Sequence, residues 1–206
     1  METVYTAIPT RGQVWVTVVV SALQNTIAVP NSEFTWSGEA PATCTRNALV
    51  TRFLRTKHRW LWFVDDDTQP PEGALKQLLA TAKANDAALV SGVTPFFQRR
   101  LVVNVQRDRA GWLEPWPYGE FEITKAGTAC MIIRRDVFET LQFPWFNYFQ
   151  DESCEWVQSE DLPFCDRARE AGFRLWCNAE VRCNHIKTVN LIDLCPTIEG
   201  AANGNK

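Results

Sequence analysis

The stretch Trp60-Leu61-Trp62-Phe63-Val64-Asp65-Asp66-Asp67-Thr68-Gln69-Pro70-Pro71 decides how this chain is read. Five large apolar residues predict a short buried strand. Three carboxylates follow without a spacer, and then a proline-stopped turn. Adjacent like charges repel, and burying them is unfavourable unless a positive body sits among them. A divalent cation is the simplest such body, because Mg²⁺ and Mn²⁺ prefer carboxylate oxygen and also hold phosphates. Alternate residues of an extended chain point to one side, so Asp65 and Asp67 share a space and Asp66 turns away. A capped turn is the plainer reading, since Asp often precedes proline-containing turns. Three acids directly after an apolar strand favour a metal–phosphate site at the strand's carboxyl end.

Outward from this stretch, strand-like and helix-like segments alternate. Val4–Ile8 predicts a first strand, closed by Pro9-Thr10-Arg11-Gly12, and Val14–Leu23 fits either a strand or a helix. Residues 25–41 are polar, with Pro, Gly and Ser, and read as a loop. Thr45–Thr56 predicts a helix with Leu49, Val50, Phe53 and Leu54 on one face. Pro70 and Pro71 suit a helix start, where a missing N–H is harmless, and Leu75, Leu78, Leu79 and Ala82 follow at helical spacing. Ala87–Val90 and Ala129–Ile133 read as strands, and Arg135–Leu141 as a short helix. The stretch from Phe96 to Glu122 breaks into short β pieces, and Phe143–Glu155 is an aromatic, acidic loop. Ser159 is placed to cap a helix over 160–171 that Gly172 ends. Arg174–Trp176 and Ala179–Cys183 are two short strands. The rhythm predicts an α/β sheet, parallel in its first half.

Size and composition bound the answer. The 206 residues suffice for one domain with a real core. We expect a single domain over 1–199 and a disordered tail over 200–206. A net charge of −3 gives no overall drive towards nucleic acid or membrane. Arg99, Arg100, Arg107 and Arg109 form a local basic cluster, read first as a solvated face. No signal peptide is recognised, and the most apolar segment, about ten residues, falls short of the roughly 20 that span a bilayer. The expectation is a cytoplasmic protein without a membrane span. Seven cysteines, an odd count, argue against a disulfide framework. Cys177, Cys183, His185 and Cys195 lack the paired short spacings of structural zinc and read as buried thiols and a lone imidazole.

Three further groups carry chemistry. Glu160-Asp161 opens a predicted helix, where acids suit the macrodipole and where one of them is placed to act as a general base. His185 follows a strand, and an imidazole completes a carboxylate site for Mn²⁺; His58, between Lys57 and Arg59, reads as surface. Pro9-Thr10-Arg11 lies beyond the first strand's carboxyl end, where ligands gather in open α/β sheets. Neither G-x-G-x-x-G nor a P-loop is found, which argues against dinucleotide enzymes and ATPases. Phe96, Phe97, Trp112, Trp116, Trp145 and Phe146 offer rings for stacking or for packing.

In this order the pieces resemble the GT-A-fold glycosyltransferases, family 2-like enzymes above all. The resemblance rests on Ile8-Pro9-Thr10-Arg11, Thr45-Arg46-Asn47, Val64-Asp65-Asp66-Asp67 as the D-x-D motif, Gly127-Thr128-Ala129, Ser159-Glu160-Asp161 and His185. It implies a Rossmann-like mixed sheet flanked by helices in one compact domain. It also implies a metal-dependent transfer, of hexosyltransferase type, from a nucleoside-diphosphate sugar. By this likeness Pro9, Thr10 and Arg11 sit against the donor nucleotide, and Arg46 helps to hold it or its diphosphate. Asp65 takes the ribose or metal side, with Asp66 the least defined of the three. Asp67 is the chief ligand of Mn²⁺ or Mg²⁺, joined by His185. Gly127 lets the backbone approach the donor sugar, and Asp161, with Glu160 as its alternate, is the base if the enzyme inverts. The processive tryptophan motif is absent, against a polysaccharide synthase. Other readings are a phage-type enzyme that glycosylates modified DNA bases, a non-catalytic nucleotide-sugar-binding module, and a nucleotidyltransferase, whose glycine- and lysine-rich loop is missing. Stereochemistry, acceptor and oligomeric state stay open.

Overall fold

The computed structural model describes residues 2–38, 41–108, 111–150, 152 and 157–189. Cys154, Cys195, Arg109, most of 151–156 and the expected tail lie outside the described residues. The first half contains β1 (Val4–Pro9), α1 (Val16–Ile27), β2 (Glu33–Ser37), α2 (Ala42–Leu54), β3 (Trp60–Val64), β4 (Thr68–Gln69), α3 (Ala74–Asn85) and β5 (Leu89–Val93). Short strands follow: β6 (Pro95–Gln98), β7 (Arg100–Val103), β8 (Val105–Gln106), β9 (Glu120–Glu122) and β10 (Lys125–Ala126). The chain then forms β11 (Cys130–Arg134), α4 (Arg135–Thr140), β12 (Phe149–Gln150), β13 (Val157–Gln158), α5 (Asp161–Glu170), β14 (Leu175–Arg182) and β15 (Asn184–His185).

One seven-stranded sheet, in the order β2-β1-β3-β11-β5-β14-β9, organises the domain. Strands β2, β1 and β3 run parallel, β11 is antiparallel to both its neighbours, and β14 is parallel to β5. The five residues of β3 are all buried because both faces of the sheet are covered. Leu61 and Phe63 point to one face, with Leu49, Phe53, Phe138 and Phe164 from the helices there. Trp60, Trp62 and Val64 point to the other, against Val18, Leu75 and Leu78. This is the mixed, helix-flanked α/β sheet that the sequence implied.

Several local expectations change. The segment read as a loop contains β2, an edge strand of the seven-stranded sheet. The ambiguous valine-rich segment is α1, whose buried face mixes Val18 and Ala22 with polar groups: Ser21 donates to the Pro70 carbonyl and Asn25 to the Pro71 carbonyl at 3.0 Å. Those two prolines therefore anchor α1 rather than start α3, which begins after Gly73 in the left-handed region at φ 75°. The two expected late strands are one, β14, with an irregularity between Cys177 and Arg182. Gly172 does end α5, at φ 89°, but Glu160 rather than Ser159 takes the cap position, with no side-chain cap bond. His58 is buried, not surface: its Nε2 lies 3.2 Å from Glu33 Oε1 on β2. Of the candidate ring surface, Phe146 is core and Phe97 is exposed. Arg99, Arg100 and Arg107 are exposed, as expected of a solvated cluster. No helix among the described residues is long and apolar enough to cross a membrane.

Candidate active site

A cavity of about 430 Å³ opens beyond the carboxyl ends of β1 and β3, lined by Pro9, Thr10, Arg11, Arg46, the three acids, Glu160, Asp161, His185 and Lys187 among others. Elements distant in sequence meet here for identifiable reasons. The β3–β4 turn closes through Thr68 N–H donating to Asp65 O at 3.0 Å. Strand β15 then pairs with β4, setting His185 opposite Thr68, and Ile186 N–H donates to Asp67 O at 2.8 Å. The late histidine is thereby held over the acid triplet.

The three acids diverge. Asp65 Oδ1 accepts from Arg46 Nη2 at 2.9 Å. Asp66 Oδ2 accepts the Arg11 backbone N–H at 3.1 Å, and its carbonyl accepts from Trp15 N–H, so it latches the β1–α1 loop onto this turn. Asp67 Oδ2 contacts Lys187 Nζ and lies 3.3 Å from His185 Nε2. Burial alone would raise the Asp67 carboxyl, but hydrogen bonds from His185 and Lys187 outweigh it and hold the group down at about 2.

Arg46 is the buried centre of the opposite wall. Its guanidinium stands over the rings of Phe63 at 5.2 Å and Phe146 at 6.0 Å. Besides Asp65 it meets Glu160 Oε1 at 3.2 Å and Asp161 Oδ1 at 3.7 Å, both from Nε. Burial opposes its charge, yet Asp65, Asp161 and Glu160 together push its pKa up. Arg46, expected at the nucleotide or diphosphate, thus commits two of its nitrogens to carboxylates. Its buried Nη1 finds no hydrogen-bond partner among the described residues. Glu160 cannot cap α5 because its carboxylate is drawn into this cluster.

Asp161 begins α5 and accepts from Thr128 Oγ1 at 2.7 Å. Burial first, then Glu160 and Asp65, raise its carboxyl to about 6, against the lowering effects of Arg46 and the Thr128 hydroxyl. A carboxyl that titrates near neutrality beside an open cavity has the poise of a general base. Gly127 lies behind it: a Cβ there would meet Asp161 Oδ2 and the Asn104 Cβ, each at 3.6 Å, which is ordinary contact. Protein packing therefore does not demand a glycine at that position.

The donor set fits a divalent cation in part. Two ligands of one ion at about 2.1 Å each, roughly at right angles, lie about 3 Å apart, close to the spacing of Asp67 Oδ2 and His185 Nε2. The other ring nitrogen, Nδ1, bonds the Pro95 carbonyl at 2.6 Å, which orients the ring as an outer-shell partner does. Asp65 faces Arg46 instead, and among the described residues no three His, Cys, Asp or Glu side chains converge on one point. The expected trio of Asp65, Asp67 and His185 is therefore a pair plus a neighbour, with the remaining positions left to phosphate oxygen or water. Two lining residues carry no role that the sequence alone suggests. Lys187 is two residues past His185 in extended chain, a spacing that puts both on one side. Tyr148, from the aromatic loop, lines an adjoining cavity of about 290 Å³ with Thr10, Arg11, Gly12 and Gly38.

Residues 45–142 match the sequence profile of glycosyl transferase family 2. The chain has a GT-A-type fold and resembles glycosyl transferase family 2 over those residues. Among solved structures, A197 from STIV superposes with a TM-score of 0.69 at 18% identity, covering 91% of this chain and 87% of that one. GalNAc-T7, solved with UDP, GalNAc and Mn²⁺, superposes with a TM-score of 0.61 at 12% identity over 92% of this chain. The GT-A domain spans 44% of that longer chain. No curated protein sequence matches it.

Proposed function

We propose that this GT-A domain transfers a sugar from a nucleoside-diphosphate sugar to an acceptor hydroxyl, with a divalent cation at Asp67 and His185. The observation that carries the reading is the meeting, in one cavity, of a cation-type pair and a raised carboxyl, Asp161, on the opposite wall. Support also comes from the family 2 profile and from the UDP and Mn²⁺ bound by GalNAc-T7.

In this reading Pro9, Thr10 and Arg11 receive the nucleotide at the end of β1, and the latch from Asp66 keeps the Arg11 backbone in register. Asp67 and His185 hold Mn²⁺ or Mg²⁺, which when bound acts as a Lewis acid on the leaving diphosphate. The Arg46 guanidinium lines the same cavity, where a preorganised positive group stabilises developing charge. Asp161 accepts the acceptor hydroxyl's proton in an inverting reaction, with Arg46 and Thr128 keeping its charge accessible, and Glu160 is its alternate. In a retaining reaction Asp161 instead orients substrate.

A thermal-shift screen of UDP-, GDP- and CMP-sugars with and without Mn²⁺ tests the donor, since a ligand of the native state raises its apparent stability. Asp67→Ala is expected to erase the Mn²⁺-dependent shift. Asp161→Asn is expected to keep the shift and lose about 10²- to 10⁴-fold in turnover. Unchanged turnover and an unchanged shift in Asp67→Ala would refute the assignment.

A further inference from the structure

We propose that Lys187 is a resident counter-ion of the cation cradle: it holds Asp67 while no divalent cation is there, and the cation displaces it towards the diphosphate. The inference rests on the reading of Asp67 and His185 as cation ligands. Its ground is that one oxygen, Asp67 Oδ2, serves both Lys187 Nζ and His185 Nε2.

His185 sharpens the point. With Nδ1 held on the Pro95 carbonyl, the ring directs Nε2 at Asp67 Oδ2. A half-buried carboxylate oxygen needs a positive body beside it. The Lys187 ammonium meets that need in the cation's place. It stands at the tip of a flexible stem, and its side chain is 61% exposed, so it is free to swing without disturbing the fold.

A doubly charged ion on the same oxygen competes with the ammonium for its lone pairs and repels its charge. Lys187 must therefore leave Asp67 as the cation enters. It lines the same cavity, so an anionic diphosphate there offers its next partner. Each ligand thus eases the other's binding beyond their direct contact, a coupling that is reciprocal by linkage.

Calorimetric titration of Mn²⁺ alone into wild type, Lys187→Gln, Lys187→Arg and His185→Ala tests this. Lys187→Gln is expected to bind Mn²⁺ about 10-fold more tightly than wild type, the order expected for removing one nearby unit charge. Lys187→Arg, which keeps the charge, is expected to stay within about twofold. His185→Ala is expected to bind at least about 10-fold more weakly. Equal or weaker binding by Lys187→Gln overturns the proposal, as does equal tightening in both Lys187 variants. If His185→Ala has lost binding in that case, the cation site itself stands. Wild-type affinity in His185→Ala, or no binding by any form, overturns both readings. At saturating Mn²⁺, UDP is expected to bind Lys187→Gln several-fold more weakly than wild type, and equal UDP affinity overturns the release towards diphosphate.

Discussion

Arg46→Met removes the one guanidinium that three carboxylates share, and its effect can be worked from the site. Methionine has nearly the length and apolar character to fill the space against Phe63 and Phe146, so the change is chiefly one of charge. Breaking a buried ion pair by deleting one partner costs about 3–5 kcal/mol, a large part of a typical domain stability of about 5–15 kcal/mol. The effect should depend on pH, with a definite sign. Asp161 is raised to about 6 in the folded protein, so it favours folding when protonated, and that contribution is lost as pH rises from its unfolded value through about 6. Arg46 is what limits the rise. Without it the folded carboxyl titrates higher still, and the variant's deficit widens above pH 6. Urea unfolding of both proteins at pH 5 and pH 7.5 is the assay. The expected deficit is about 4 kcal/mol at pH 7.5 and smaller by about 1–2 kcal/mol at pH 5, since each tenfold change in the carboxyl's ionisation equilibrium is worth about 1.4 kcal/mol. Adding Asp161→Asn should return about 1–2 kcal/mol at pH 7.5 by removing the stranded charge. A deficit under about 1 kcal/mol, or one equal at both pH values, would refute Arg46 as the counter-charge of the cluster.

Thr128→Val deletes the hydroxyl that donates to Asp161 and so raises that carboxyl further; the acidic limb of kcat/KM, expected near pH 6 in wild type, should move up, and an unmoved limb counts against Asp161 as the base. Gly92→Ala tests the fold beside the site, because a Cβ there would meet the Val181 carbonyl oxygen and Cγ1 at 2.8 Å. With backbone as the obstacle, a loss of about 1–3 kcal/mol is expected in the same unfolding assay. Asn47→Ala leaves the Phe146 carbonyl and the Trp145 and Phe146 N–H groups without their partner, and a loss of about 2 kcal/mol or more is expected with little change in donor binding.

The parts of the fold that are legible in the sequence are those buried on both faces. β3 and β11 carry apolar runs, and β1 is interrupted only by Thr6, because both faces of the sheet are covered. β2 is hidden because it is an edge strand of mixed exposure, Glu33-Phe34-Thr35-Trp36-Ser37, within a polar, proline-bounded segment. Missing β2 also hides the place of a histidine. His58 looks like surface between Lys57 and Arg59, and only the presence of β2, with Glu33 reaching its Nε2, explains why it is buried. α1 is ambiguous because its polar residues face inward, to the carbonyls of Pro70 and Pro71, while Val16, Val20 and Ile27 face out. A periodicity argument assumes the opposite.

The acid triplet shows where local reading of a site reaches its limit. Alternation along an extended chain puts Asp65 and Asp67 together and sets Asp66 apart, but the chain turns at Asp65, where Thr68 N–H bonds its carbonyl, and alternation no longer governs. Each acid then takes the nearest positive partner its own direction offers. Asp65 finds Arg46 from α2, Asp66 the Arg11 backbone N–H beyond β1, and Asp67 the His185 and Lys187 pair brought in by β15. Those partners lie 19, 55 and about 120 residues away, so no window around the triplet contains the information that separates the roles. What the triplet does encode is that three positive or donor groups must converge on this turn. The separation of a nucleotide-side wall from a cation-side wall follows from the pairing of β15 with β4: it brings His185 and Lys187 to Asp67 alone and leaves Asp65 to the buried arginine.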